Sequence, residues 1–373
     1  MMYYIILLLV STLFSGFCYK KVLSIAKEKN IVDNPDARKL QKEPIPVLGG
    51  ITIFIGIIVG VIISLLFNTT QDTIAIVCSM CILLFIGMID DIVSLSPYIR
   101  FVLEFSLAII LILATGNYIH SLYGVFELND IPKVVAYPLT VIAIVGVINA
   151  MNLLDGVDGL SSGYSAMICV GYFVVFLTMG LQEYAYLCSF TFGAICPFFI
   201  HNVFGKKSKM FIGDGGTLML GIIISAVVVK SLSIPPQIGF DFSLITFSIA
   251  ILCIPVFDTL RVMTIRILNG KSPFFPDKNH LHHAFIRAGF SHIGTSLAEI
   301  SIGIISVLCW YILNCLHVSV TIQFIALIVL GVFNTFGLYY LLETGVLHFS
   351  FISRHLITNT KFYGLIREFV DKH

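Results

Sequence analysis

The residues able to do chemistry in this chain gather in five short stretches, each beside an apolar run. FIGMIDDIVSLSPYIR, Phe85 to Arg100, ends one run with adjacent Asp90 and Asp91. On a helix, neighbours point about 100° apart, so the two carboxylates suit different partners, one a metal and the other a substrate. Two acids at a membrane edge are costly unless paired or bound. Arg100, about three turns on, could neutralise a phosphate. NAMNLLDGVDGL, Asn149 to Leu160, adds Asn152, Asp155 and Asp158. If Asn152 to Gly159 is helical, Asn152 and Asp155 share a face and Asp158 continues the stripe. Gly156 and Gly159 would then let a backbone or a ligand come close.

KMFIGDGGTLMLG, Lys209 to Gly221, sets Asp214 among glycines before a new apolar run. Such a turn can cradle phosphate with backbone N–H groups, or it can be a plain helix start with an acid near the dipole. The stretch Pro255 to Gly289 carries His280, His282 and His283 among Arg and Lys. Without paired cysteines or H-E-x-x-H, these histidines suit phosphate or sugar hydroxyls better than zinc. VDNPDARKLQKEPIPVLGG, Val32 to Gly50, adds Arg38, Lys39 and Lys42, which are either phosphate cations or topology signals. Dispersed acids with basic loops suggest a magnesium-dependent diphosphate site. Magnesium takes few carboxylates and completes its shell with water and substrate phosphates.

These stretches need elements to position them. The chain has 373 residues, 58% hydrophobic and 12% charged, about half the charged fraction usual for soluble proteins. A net charge of +1 gives nucleic acid nothing to bind. Uncharged runs of bilayer length recur throughout. They predict an all-α, polytopic integral membrane protein with about 11 spans, near 2–19, 46–67, 73–90, 101–116, 134–153, 160–180, 184–201, 214–230, 242–262, 297–316 and 320–342. The split near His317 divides a run too long for one helix. The first run lacks a basic n-region and a small-residue cleavage site, so it reads as an uncleaved span with its N-terminus outside. Cys78 and Cys81 form a C-x-x-C in mid-span and read as small buried hydrophobes.

With that orientation, every Lys and Arg except Lys133 and Lys230 falls on the cytoplasmic side, as the positive-inside rule requires. The cytoplasmic loops lie near 20–45, 90–100, 154–160, 201–214 and 263–296. Residues 1–345 form one transmembrane catalytic domain and 346–373 a cytoplasmic tail. The candidate residues all collect at the cytoplasmic boundary, where a soluble donor can meet a lipid acceptor. A transporter for a sugar nucleotide or phosphate would instead place ionisable groups near the bilayer midplane. Here Glu104 and Glu299 are the few candidates, both near span ends, and no internal repeat is visible.

Five ordered motifs, D-N-P-x-x-R-K…P-I-P-V-L-G-G, G-M-I-D-D-x-x-x-L, N-x-x-D-G-x-D-G-L, F-I-G-D-G-G and P-D-K-N-H-L-H-H, run from about Asp33 to Gly289. On these the chain resembles the polyprenyl-phosphate N-acetylhexosamine-1-phosphate transferases. Its H-L-H-H form is similar to the WecA/TagO-like branch rather than the related MraY branch. The resemblance implies transfer of N-acetylglucosamine-1-phosphate from UDP-N-acetylglucosamine to undecaprenyl phosphate, with release of UMP. Another UDP-N-acetylhexosamine is the alternative donor. The product would prime a cell-envelope polysaccharide at the bacterial inner membrane.

The resemblance also implies residue roles. Asp214 would ligate Mg2+, with Mn2+ as a substitute ion and Asn152 as second ligand. Asp90 or Asp91 would deprotonate or orient the lipid phosphate, with Asp90 slightly favoured. Asp155 would sit beside metal and nucleotide. Asp158 and Phe211 would contact uridine. Lys42 and Arg100 match basic positions near the phosphates, and His280, His282 and His283 would meet sugar and diphosphate. Gln41 stands where such proteins often have His. A homodimer through apolar helix faces is the candidate assembly.

Overall fold

The computed structural model describes residues 1–35, 43–67, 71–235, 243–275, 277–346 and 361–372. Lys42 and Gln41 lie outside the described residues, as does much of the expected tail. The chain is a helical bundle. Its elements are α1 (Met2–Glu28), α2 (Gly49–Ser64), α3 (Gln71–Val93), α4 (Pro97–Thr115), α5 (Lys133–Leu153), α6 (Leu160–Thr178), α7 (Gln182–Phe204), α8 (Gly213–Leu232), α9 (Leu244–Ile251), α10 (Cys253–Leu268), α11 (Leu281–Arg287), α12 (His292–Cys315), α13 (Val320–Val332), α14 (Leu338–Glu343) and α15 (Lys361–Lys372). Two short antiparallel hairpins qualify the all-α expectation. They are β1 (Val32–Asp33) with β2 (Ile45–Pro46), and β3 (Ser121–Val125) with β4 (Leu128–Asp130).

Among the described residues, nine helices are long and apolar enough to cross a membrane, counting Val320–Glu343, which runs through α13 and α14, as one, or ten if α9 and α10 make one span. The expected span at 46–67 is only a 16-residue helix, α2, some four residues short of the usual requirement. The span expected at 242–262 is instead α9 and α10, bent by 68°. Pro255 supplies the reason. It has no N–H for the carbonyl of Ile251, four residues back, so the helix breaks at Leu252. At His317 the chain turns with φ 53°, which separates α12 from α13 as expected. α1 continues through Lys20 and Lys21 to Glu28, so the first loop begins later than 20.

The centre of the bundle is α8. Its small and aliphatic residues are buried on nearly every side, as a helix apolar all round must be. It packs against α3, α5 and α2, while α1 packs on α7 and α2. Small residues set the spacing. A Cβ on Gly50 would meet Gly216, one on Gly87 would meet Gly215, and one on Gly221 would meet the Ile148 backbone. Such close backbone approach is how helices associate without a hydrophobic drive between them. The end of the bundle where α3 and α5 finish and α8 begins holds the described residues of the motifs above.

Candidate active site

The first turn of α8 is held from another helix. Asp91, at the end of α3, accepts the backbone N–H of Asp214 at 2.9 Å and of Gly215 at 3.3 Å. A negative side chain at a helix start satisfies otherwise unpaired donors and suits the dipole. The phosphate-cradle reading of this turn is therefore corrected: these N–H groups already have a carboxylate. Gly213 has φ +74°, and a Cβ there would strike Val47 O and Asp91 Oδ2. The F-I-G-D-G-G glycines thus serve a left-handed turn and two helix contacts.

Asp90 points elsewhere, as adjacent positions on a helix should. Its Oδ1 accepts the Leu95 N–H at 2.6 Å, and its Oδ2 lies 3.2 Å from Arg100 Nη1. Arg100 Nε is 3.4 Å from Glu104 Oε1, and Arg100 Nη2 donates to Asn149 Oδ1 at 3.4 Å. Asn149 donates in turn to Glu104. Arg100 therefore starts from a buried carboxylate network rather than from the cavity wall.

Asn152, Asp155 and Asp158 do not form the helical stripe. α5 ends at Leu153, and the turn that follows closes at Gly159 with φ +76°. The three side chains diverge. Asn152 Nδ2 donates to Asp214 Oδ1 and to Thr217 Oγ1, both at 2.8 Å. Asp155 accepts from Ser161 Oγ at 3.0 Å. Its side chain opens onto the cavity yet is ringed by protein. That enclosure, with Asp214, Asp158 and Asp33 nearby, raises its carboxyl to about 7 against the Ser161 bond. Asp158 Oδ2 pairs with Lys209 Nζ at 2.6 Å and lies 3.0 Å from His292 Nδ1. Burial opposes ionisation of Asp158, but His292 and Lys209 outweigh it and hold the carboxyl below its usual range.

The histidine stretch is anchored from α10. Asp258 accepts from Arg261 Nη2 at 2.7 Å and from the Leu281 N–H at 3.1 Å, and its Oδ2 meets His280 Nδ1 at 2.8 Å. Arg266 pairs with Asp277 through two bonds, at 2.8 and 3.0 Å, folding the loop back onto α10. The His280 and His282 rings stack 5.6 Å apart. His282 packs so tightly on Gly156 that any Cβ there would collide with its Nε2. The D-G-x-D-G and H-L-H-H stretches therefore meet as one structure. Burial pulls the His282 imidazole well below its usual range, and burial with the neighbouring cations brings His283 to about 4. Both rings are neutral near pH 7.

These parts surround one cavity of about 1310 Å3. Asp90, Asp91, Asp155, Asp158, Asp214, Phe211 and His283 line it. Asn152, Arg100, His280 and His282 support the wall from behind. Among the described residues, no three His, Cys, Asp or Glu side chains form a metal site by themselves. The donor set nevertheless suits a hard cation that brings ligands from a substrate. Asp214, Asp91 and Asp155 lie within electrostatic reach of one another, and Asn152 already touches Asp214.

Comparison with known proteins accords with this arrangement. The family described as "Glycosyl transferase family 4" matches residues 73–232. The chain is 34% identical over 293 residues to "Probable undecaprenyl-phosphate N-acetylglucosaminyl 1-phosphate transferase" of Bacillus subtilis (strain 168), covering 76% of this chain and 77% of that one. It is 30% identical over 290 residues to the "Undecaprenyl-phosphate alpha-N-acetylglucosaminyl 1-phosphate transferase" of Escherichia coli (strain K12), covering 76% and 75%. The chain belongs to the polyprenyl-phosphate N-acetylhexosamine-1-phosphate transferase family.

Sequence reasoning missed several residues of this transferase's cavity. Lys209 and His292 both face Asp158, and Lys209 Nζ also lies 5.6 Å from the Phe211 ring centre. Lys209 is the one basic residue of the stretch Lys209 to Gly221, a signal present in the sequence. His292 had no signal, because only folding brings the start of α12 beside residue 158. Asp258 was visible as an acid at a span end, but its role as anchor of His280 was not.

Proposed function

We propose that this chain transfers N-acetylglucosamine-1-phosphate from UDP-N-acetylglucosamine to undecaprenyl phosphate, releasing UMP, on the cytoplasmic face of the bacterial inner membrane. One observation carries the reading. Segments far apart in sequence (α3, the 154–159 turn and the start of α8) bring five aspartates to one cavity at a bundle end, where Lys206, Lys207 and Lys209 add a phosphate-compatible basic wall. The activity for which the relatives are named supports the choice of sugar and lipid. The transport alternative has no comparable support, since Glu104 and Glu299 sit close to this same end.

In the reaction, an oxygen of the lipid phosphate bonds to the sugar-1-phosphoryl phosphorus and the bond to UMP breaks. Asp214 and Asn152 would hold Mg2+, or Mn2+ in its place, once the Asn152 amide turns its oxygen toward the ion. The ion supplies charge neutralisation for the diphosphate and leaving group. Asp91 fixes the start of α8, and so the position of Asp214. Asp90 is the better residue to deprotonate or orient the acceptor phosphate, because its Arg100 partner can shift to a phosphate oxygen and leave the carboxylate to accept the proton. Asp158, held by Lys209 and His292, and Phe211 form the uridine end, with Asp155 between uridine and ion. Neutral His283 on the cavity wall can hydrogen-bond sugar or phosphate oxygens. Residues 1–345 form the catalytic membrane domain, and exposed apolar faces such as Ile109, Ile110 and Leu113 of α4 offer a surface for a homodimer.

The test is a reconstituted assay with labelled UDP-N-acetylglucosamine, Mg2+ and undecaprenyl phosphate. Lipid-linked label with matching UMP is expected. Absence of both, across a panel of UDP-sugars with mass detection, overturns the reading.

A further inference from the structure

The C-terminal helix α15 does not hang free. Asp371 Oδ1 accepts three successive backbone N–H groups, those of Lys206 and Lys207 at 2.9 Å and of Ser208 at 3.2 Å, and also Ser208 Oγ at 3.2 Å. Consecutive N–H groups turned to one point make an anion nest. Here the helix supplies the anion itself, and the nest bonds hold the Asp371 carboxyl below its usual range despite some burial. Two turns earlier, Tyr363 donates to Val203 O at 3.3 Å, and its ring lies 5.4 Å from Phe204. Tyr363, Arg367 and Asp371 are spaced i, i+4, i+8, so they form one stripe. Both ends of that stripe are fastened to the end of α7 and the loop after it.

The middle member is thereby aimed at the cavity. Tyr363 and Arg367 both line it, with Lys206, Lys207 and Lys209 of the adjoining loop. Tyr363 lies within electrostatic reach of both Arg367 and Asp158. The bland alternative, a surface cation on a solvated helix face, does not explain why the helix is latched on either side of Arg367. It also leaves unexplained a cation facing a cavity that needs positive charge opposite its acidic floor.

We propose that α15 completes the donor site, with Arg367 contacting the diphosphate of the UDP-sugar and Tyr363 walling the nucleotide beside Asp158. This deepens the transferase reading and rests on it. The acidic floor handles phosphate through a cation, whereas Arg367 meets it directly, and the donor diphosphate spans the two. Arg suits this position because its fork binds two phosphate oxygens at once.

Steady-state kinetics on the full-length wild type and on Arg367→Gln test the proposal, with donor and acceptor varied separately. Arg367→Gln is expected to raise KM for UDP-N-acetylglucosamine about tenfold, the usual cost of a lost charged hydrogen bond. Its kcat should stay within about twofold, as should KM for undecaprenyl phosphate. Asp371→Asn should raise the donor KM in the same direction while exposing Arg367 to trypsin. Arg367→Lys, which keeps the charge in the full chain, guards against misfolding and is expected to recover most of the donor affinity. If Arg367→Gln keeps wild-type donor KM, lowers kcat alone or changes only the acceptor KM, the proposal is overturned. A wild type that makes no lipid-linked sugar would instead sink the transferase reading, so the two failures are distinguishable.

Discussion

The two ends of this bundle each gather acids, and they treat them differently. At the end away from the cavity, one oxygen of Asp72 accepts from Asn117 Nδ2 and Tyr184 OH at 2.9 Å and from Lys230 Nζ at 3.0 Å. Lys230 also donates to Asn117 Oδ1 and lies over the Tyr184 ring, so the cluster is closed on itself. At the cavity end, Asp91, Asp155 and Asp214 lie within electrostatic reach of one another, and Arg100, which also reaches Asp214, is shared with Asp90 and Glu104. A closed cluster joins helices. Among the described residues Asp91, Asp155 and Asp214 make no ion pair, an arrangement open to a cation that arrives. The difference sets a carboxylate that joins helices apart from a group left open at a cavity, without reference to either sequence motif or relatives.

That contrast can be broken in four ways. The largest effect should come from a chelator, which is expected to abolish turnover reversibly, with Mg2+ restoring it in the lipid-product assay. Activity that survives exhaustive chelation would mean the acidic floor serves no cation. Next, Asp214→Asn should lower kcat on the order of a thousandfold, about 4 kcal/mol of transition-state stabilisation. Its melting temperature should stay close to wild type. Near-normal turnover would remove Asp214 from the chemistry. Gly156→Ala should push the His282 ring aside and cost roughly 10- to 100-fold in kcat/KM, as a small misplacement of a positioned group does. A silent Gly156→Ala would show that the histidine stretch and the turn are independent. The smallest effect on activity belongs to the far end. Asp72→Ala should cost about 2 kcal/mol of stability, because it leaves partly buried Lys230 unpaired. Thermal melting should record that loss while kcat stays unchanged.

Much of this was legible in the sequence because lipid imposes simple rules. Charge placement and run lengths located the helices and collected the candidate residues on one side, and hydrogen bonds such as Asn152 to Asp214 now join those residues. What failed were features set by single backbone positions or by distant contacts. The helical stripe through Asn152, Asp155 and Asp158 fails because α5 ends at Leu153 and residues 154–159 form a turn. The span at 242–262 breaks because Pro255 denies one carbonyl its donor. Asp91 and the start of α8 are more than a hundred residues apart, and no local pattern links them. α15 is a different case. Tyr363, Arg367 and Asp371 recur at helical spacing in a short charged segment, a pattern present in the sequence with nothing beside it to show what the helix meets.

The bond from Asp91 to the first turn of α8 bears on how mutational scans of this protein should be scored. Removing that carboxylate unseats the helix start that carries Asp214, so an inactive Asp91 variant looks like a lost acid or base whether or not Asp91 ever touches a substrate. Asparagine and glutamate substitutions would mislead in opposite ways, one keeping length and losing charge, the other keeping charge and pushing α8 away. Asp91 is thus a position where tolerance to replacement measures architecture and chemistry together, and only a variant whose α8 register has been checked can tell them apart.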